Sequence, residues 1–355
     1  MIDTHSPIAS LKPAIQLLRL DAECALKGLS FEALRGSRVL ITGASGFIGS
    51  HLLTCLLQMQ KALGGDLSIY AVVHRNVSPW LASMCSEGSV TFCKGNLSQV
   101  DFLSSLPPAD VIIHAATYGQ PGKFADFPDE TLKLNTLSTF HLLDKLYPGN
   151  RFLFLSSSEV YDGLENPPFH EEQIGLTSTT HPRACYIEGK RCGEAICNAY
   201  RTKGIDAKAV RLSHTYGPGT RNDDRRAMNS FIKMALSDKK ITLLDAGLAR
   251  RSYCYISDAG AMLWRILLDG KEVIYNVGGD YRTTIAEMAQ AIGGILNVDV
   301  DVPEDSTRSM PGAPGEVRVS ISRFENEFGK LAPTEPATGL RRTVEWYQAI
   351  SGLEP

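Results

Sequence analysis

The 355-residue sequence has no uninterrupted apolar stretch long enough to cross a bilayer, and Met1-Ile-Asp-Thr-His-Ser-Pro7 lacks the basic start and apolar core of a secretory signal. A cytoplasmic location away from membranes is therefore expected. Net charge is also scarce: 36 Lys and Arg stand against 39 Asp and Glu, for a balance of -3 and a pI near 6.3. That balance gives no electrostatic footprint for nucleic acid, so any bound phosphate must be met by local groups. The eight cysteines include no C-x-x-C pair and no His cluster at zinc spacing, which argues against a metal site or a disulfide framework. They read as reduced packing thiols, with Cys185 lining a site at most. Internal repeats and low-complexity tracts are absent as well. What remains, 43% hydrophobic and 21% charged residues, is the composition of a soluble chain able to bury a sizeable core.

Short apolar runs rich in β-branched or aromatic residues occur at 38–42, 68–73, 90–93, 110–114, 151–155 and 207–212, separated by helix-compatible stretches. This alternation predicts an α/β fold, a Rossmann-type doubly wound parallel sheet. A short amphipathic helix is expected from about Ser10 to Leu34, within an N-terminal helical extension over 1–36. The dinucleotide-binding domain is expected over 37–215. Beyond about Gly217 the alternation fails, and 216–355 reads mainly as a smaller substrate lobe. Loops are expected at 216–226 and 308–314, and segments near 250–280, including 273–277, are expected to return to the first domain.

Three motifs carry chemistry. Strand 38–42 runs into Gly43-Ala-Ser45-Gly46-Phe47-Ile48-Gly49 and then a helical pattern, the setting in which glycines admit a pyrophosphate and a helix start meets it with N–H groups. Tyr186 and Lys190, four residues apart, share one helix face, and an ammonium near a phenol favours the phenolate needed of a general base. Ser156-Ser157-Ser158-Glu159 ends the fifth strand, placing hydroxyls and a carboxylate where ligands of such sheets bind.

The Gly-x-x-Gly-x-x-Gly spacing, joined to Ser157, Tyr186 and Lys190, resembles the extended short-chain dehydrogenase/reductase superfamily over nearly the whole chain after residue 36. The resemblance implies a tightly bound, recycled NAD. It also implies that Ser157 bonds the substrate oxygen, Tyr186 takes the sugar C4-hydroxyl proton, and Lys190 lowers the tyrosine pKa while holding the nicotinamide ribose. His74 and Arg75 stand where an acidic residue normally meets the ribose; Arg75 suits a 2′-phosphate and keeps NADP open. Asn96 replaces the usual adenine-contacting Asp beside Leu97, and Asn96 as a plain helix cap is the competing reading. Ala115 and Ala116 fall beside the cofactor, with Thr117 and Gln120 toward the sugar.

Ser158 and Glu159 differ from the Asp-Glu pair of the sugar-nucleotide 4,6-dehydratases, since a serine cannot serve as that acid. Ser-Glu-Val-Tyr161, with Arg183-Ala-Cys-Tyr186-Ile-Glu-Gly-Lys190-Arg191, looks closest to UDP-glucuronate decarboxylases of the UDP-xylose synthase type. There Ser158 and Glu159 would work beside the C5 carboxylate with Arg251 assisting, and Arg226 would meet the nucleotide. His214 stands where that family has Asn, and the loop after Thr117 departs from the decarboxylases, so the sugar itself stays open. Decarboxylation, with 4-epimerisation as runner-up, a net NADPH-consuming reductase and a non-catalytic dinucleotide sensor are the readings carried forward. The substrate is expected to be a nucleotide sugar, UDP-linked, and the protein a homodimer through the Tyr186 helix and its neighbour.

Overall fold

The structure, a computed structural model, describes residues 7–303 and 316–351, so the loop expected at 308–314 lies outside the described residues. In chain order the strands are β1 Arg38–Thr42, β2 Ser68–Val73, β3 Val90–Lys94, β4 Val111–His114, β5 Arg151–Ser157, β6 Asp206–Leu212, β7 His214–Tyr216, β8 Lys240–Thr242, β9 Arg250–Tyr255, β10 Ile274–Val277, β11 Tyr281–Thr284, β12 Asp299–Asp301 and β13 Glu316–Val317. Seven form one sheet in the order β10-β6-β5-β4-β1-β2-β3, with every neighbouring pair parallel. The fold is thus the doubly wound parallel sheet expected from the sequence.

Strand sequences explain this burial. Along β1, Val39 and Ile41 enter the core on one face of the sheet and Leu40 the core on the other; along β5, Leu153 and Leu155 oppose Phe152 and Phe154. Successive side chains point to opposite faces, so a strand covered on both sides must be apolar throughout. At the sheet edge β3 leaves Thr91, Phe92 and Lys94 exposed. Chain order reverses between β1 and β4, which opens a crevice beyond their carboxyl ends.

β9 heads a second, smaller sheet, paired antiparallel to β11 and parallel to β7 and β13, while β8 and β12 pair separately. Of the stretch near 250–280, Ile274–Val277 enters the large sheet beside β6, whereas Arg250–Tyr255 does not. Its neighbours β7 and β11 lie in the small sheet, and β9 takes its register from them.

The N-terminal helix runs Pro7–Leu26, with a separate turn at Glu32–Leu34, rather than as one helix to Leu34. It is part of the main core, not an appendage. Leu11, Ala14, Ile15, Leu18, Ala22 and Ala25 form a buried stripe against helices Phe47–Ala62, Ile256–Asp269 and Pro336–Ile350. Asp21 is fully buried on this helix, accepting hydrogen bonds from Tyr255 Oη at 2.8 Å and Arg342 Nη1 at 2.8 Å. Burial outweighs both partners and pushes its pKa up to about 6.

A raised carboxyl pKa stabilises the fold fully below the unfolded value and loses that contribution as pH rises through the folded one. The Asp21→Asn variant should therefore gain on the parent protein by on the order of 3 kcal/mol between pH 4 and 7. Thermal melts of both proteins across that range test this, and a constant gap in Tm would contradict it.

Candidate active site

Buried hydrogen bonds lock β1 to β4 at the crevice. Thr42 Oγ1 lies 2.7 Å from His114 Nδ1, His114 Nε2 donates to Leu134 O at 2.8 Å, and Thr42 Oγ1 accepts from Ala116 N at 3.2 Å. Burial keeps the imidazole neutral, its pKa lowered to about 4. Gly43 then turns at φ +65°, where a Cβ would come within 2.8 Å of the Ala115 carbonyl. On Gly49 a Cβ would sit 2.1 Å from Gly43 O. Gly46 is the N-cap of helix Phe47–Ala62 and offers no side-chain cap, so the first-turn N–H groups and partial positive charge of that helix are left for an anion. Ser45, Phe47 and Ile48 complete a cradle into which a pyrophosphate fits.

The other expected cofactor positions surround this crevice. His74 and Arg75 follow β2 as exposed residues, and Leu97 is buried. Asn96 Oδ1 accepts from Ser98 N at 2.9 Å, so its carbonyl is engaged locally and its amide N–H groups are what it offers a base. Ala115, Ala116 and Thr117 are half-buried just after β4, with Thr117 Oγ1 accepting from Asn135 Nδ2 at 3.0 Å. Gln120 caps helix Pro121–Asp126 without a side-chain hydrogen bond.

Helix Ala184–Arg201 carries Tyr186 and Lys190 past the end of β5. The Tyr186 ring stacks on Phe124 at 4.8 Å between centroids, and Ser157 is the first of the groups that favour its phenolate. Ser157 Oγ also accepts from Glu159 N at 3.2 Å, while Ser158 is buried beside it. Lys190 Nζ donates to Leu155 O at 2.5 Å and lies 4.7 Å from the Phe154 ring centre and 5.6 Å from that of Tyr186.

Here the structure departs from the sequence argument. Burial raises the Tyr186 pKa, and the groups that oppose it are Ser157, Arg226 and Arg183 rather than Lys190. Burial also brings Lys190 down to about 7, with Glu194 opposing. An i, i+4 spacing gave the shared face but not the desolvation, which dominates both groups.

Opposite Tyr186 lies a basic cluster. Arg226 is held by Asp224, donating from Nη2 at 2.6 Å and Nε at 3.0 Å to Oδ2. Arg251 Nη1 donates to Arg250 O at 2.7 Å. His214 packs edge-on against Tyr253 at 5.8 Å, and its buried Nδ1 has no hydrogen-bond partner. Burial first, then the guanidinium groups of Arg251, Arg226 and Arg183, lower its pKa to about 3, so the ring is neutral. Glu159 forms an ion pair with Arg183. Arg183 had no assigned role in the sequence reading, although its place three residues before Tyr186 sets it one helical turn away. Phe124 and Asp224 were likewise missed: the Phe124 contact with Tyr186 closes over 62 residues, whereas Asp224 holds a guanidinium only two residues on, a local pairing that the motifs did not single out. Among the described residues no cluster of His, Cys, Asp and Glu could hold a metal ion.

The fold and this crevice define a Rossmann-type class with a glycine turn suited to a dinucleotide, and residues 39–278 match the NAD dependent epimerase/dehydratase family, to which the chain belongs. Among curated relatives, UDP-glucuronic acid decarboxylase 1 of Xenopus tropicalis is 31% identical, covering 88% of this chain and 72% of its own. UDP-glucuronic acid decarboxylase 6 of Arabidopsis thaliana is 30% identical over 86% of this chain and 85% of its own. Solved structures with the same fold include UDP-glucuronic acid 4-epimerase from Bacillus cereus in complex with UDP-glucuronic acid and NAD, with TM-score 0.73, 23% identity and coverage of 88% and 99%. A dTDP-glucose 4,6-dehydratase from Streptomyces venezuelae with NAD bound has TM-score 0.73 at 22% identity, covering 89% of this chain and all of the other.

The Gly49→Ala substitution should weaken dinucleotide retention by about tenfold or more while the fold survives, since the added methyl forces the turn apart. Equilibrium dialysis with NAD, alongside circular dichroism, measures this. Retention equal to the parent protein would refute the assignment of the cradle.

Proposed function

We propose that this protein is an NAD-dependent nucleotide-sugar decarboxylase acting on a UDP-glucuronate-like substrate. The observation that carries the reading is the Glu159–Arg183 ion pair beside Ser157 and Tyr186, in a chain whose relatives at about 30% identity are named as UDP-glucuronic acid decarboxylases. The cradle Gly43, Ser45, Gly46, Phe47, Ile48 and Gly49 holds the pyrophosphate, Asn96 and Leu97 the adenine, Ala115 and Ala116 the nicotinamide end, and Lys190 its ribose. His74 and Arg75 flank the adenosine ribose. When bound, the dinucleotide accepts a hydride from the sugar C4 and later returns it.

The chain's own residues do the rest. Ser157 positions the C4 oxygen, and Tyr186 takes its proton, helped by the positive charge of Arg183 and Arg226, which opposes the cost of a buried phenolate. Glu159 delivers a proton to C5 after CO2 departs, with Ser158 alongside. Thr117, Gln120 and His214 border the sugar, Arg226 meets the diphosphate as a guanidinium fork, and Arg251 assists Ser158 and Glu159 beside the C5 carboxylate. In this division residues 37–215 serve mainly the cofactor and 216–355 mainly the substrate. All eight cysteines are unpaired, which suits a reducing cytoplasmic setting, and no described helix is long and apolar enough to cross a membrane.

The functional unit is a homodimer. Leu132 and Phe140, 38% and 45% exposed, lie on helices Pro128–Asn135 and Leu137–Leu143 packed beside the Tyr186 helix, leaving an apolar face there for a second copy. The pair Leu132→Glu and Phe140→Glu should convert the dimer to a monomer in sedimentation velocity, and an unchanged sedimentation coefficient would argue for another interface.

Purified protein incubated with UDP-glucuronate should release CO2 and form a UDP-pentose without net nicotinamide turnover. UDP-galacturonate without CO2 would instead identify a 4-epimerase, and sustained nicotinamide oxidation a reductase. Tyr186→Phe should cut kcat by roughly a hundredfold or more; a variant with full biological activity would favour a dinucleotide sensor.

A further inference from the structure

Arg183 occupies a position from which it can serve two carboxylates in turn. It is the N-cap residue of the Tyr186 helix, and its side chain and that of Glu159 are 23% and 27% exposed, so their ion pair is reachable from the crevice. Glu159 Oε2 meets the guanidinium at Nη2 as an ion pair, and neither that oxygen nor the buried Arg183 Nε has a hydrogen-bond partner. A planar guanidinium offers parallel N–H groups that match both oxygens of one carboxylate, and Glu159 does not fill this fork in that bidentate way. Burial, and to a lesser degree the like charge of Arg251, make its positive charge costly, with Tyr186 opposing. The other charged or titratable groups at this cluster are Tyr186, His214, Arg226, whose guanidinium is already held by Asp224, and His181, whose Nδ1 accepts from Arg183 N at 3.2 Å.

We propose that Arg183 is an exchangeable counter-ion, holding Glu159 in the empty enzyme and turning its fork to the sugar C5 carboxylate when substrate binds. This rests on the decarboxylase reading above. Glu159, released from the guanidinium and facing a second carboxylate, then takes up one proton from solvent, because two neighbouring carboxylates cannot both stay ionised cheaply. Once C4 is a carbonyl, the C5–carboxylate bond breaks, CO2 leaves, and its electron pair forms the C4–C5 enolate. The enolate then takes the Glu159 proton to make the new C5–H bond and restore the carbonyl, which consumes one proton per CO2. Binding of the carboxylated sugar thus loads the acid that the later step requires.

Calorimetry on the holoenzyme in the Tyr186→Phe background, in buffers of different ionisation enthalpy, tests the exchange. UDP-glucuronate should bind with uptake of about one proton at neutral pH, and UDP-glucose with none. Adding Arg183→Gln should lower the preference for UDP-glucuronate over UDP-glucose by about tenfold or more and abolish the uptake. Arg183→Lys should restore part of the preference, because charge returns without the fork. Circular dichroism and retained UDP-glucose binding establish that the variants are folded. Unchanged preference and uptake in Arg183→Gln would overturn the exchange. If the unmodified enzyme releases no CO2 from UDP-glucuronate, the decarboxylase reading fails instead, and the two failures are separately visible.

Discussion

The buried ion pair between Arg211 of β6 and Glu194 of the Tyr186 helix is the constraint on which the site depends. Arg211 donates from Nε to Oε1 at 3.0 Å and from Nη2 to Oε2 at 2.7 Å, with side chains only 2% and 4% exposed. Ser156 Oγ adds a hydrogen bond to Oε1 at 2.5 Å, and Arg211 Nη1 reaches Tyr161 Oη at 2.9 Å, which in turn donates to Asn276 of β10. One carboxylate thereby ties β5, β6, β10 and the helix at the end of the sheet where the serines emerge. Removing one partner of such a pair leaves an unpaired buried charge, at a cost of about 3–5 kcal/mol. Because Glu194 lies one helical turn beyond Lys190, the pair fixes where Lys190 and Tyr186 stand.

Around this anchor the charges are sorted by burial. Lys190 is buried, with its ammonium met by the Leu155 carbonyl and two aromatic faces. Arg183, Arg226 and Arg251 gather on the substrate side, with a neutral His214 among them. That histidine accommodates three guanidinium groups because it carries no charge of its own, and its buried Nδ1 has no hydrogen-bond partner.

The N-terminal segment shows how a fold absorbs what a motif reading leaves outside. Its apolar residues recur at helical spacing, which was legible, yet the stripe that receives them includes a helix whose Arg342 is 321 residues from Asp21 in sequence. Burial of Asp21 against Tyr255 and Arg342 follows from that assembly and has no local signature. The same limit hid Phe124 beneath Tyr186.

The sequence by itself determined the parallel sheet, because apolar runs between helical patterns have no other economical way to bury both faces. It also determined the glycine turn, the Tyr186 and Lys190 face and the serines at the end of β5, since each depends on spacing within one or two elements. Only the tertiary structure decided the electrostatics: that burial rather than Lys190 governs Tyr186, that Arg183 pairs with Glu159, and that β9 joins the small sheet. Desolvation and long-range pairing are properties of the space between elements, and that space exists only once the chain has folded.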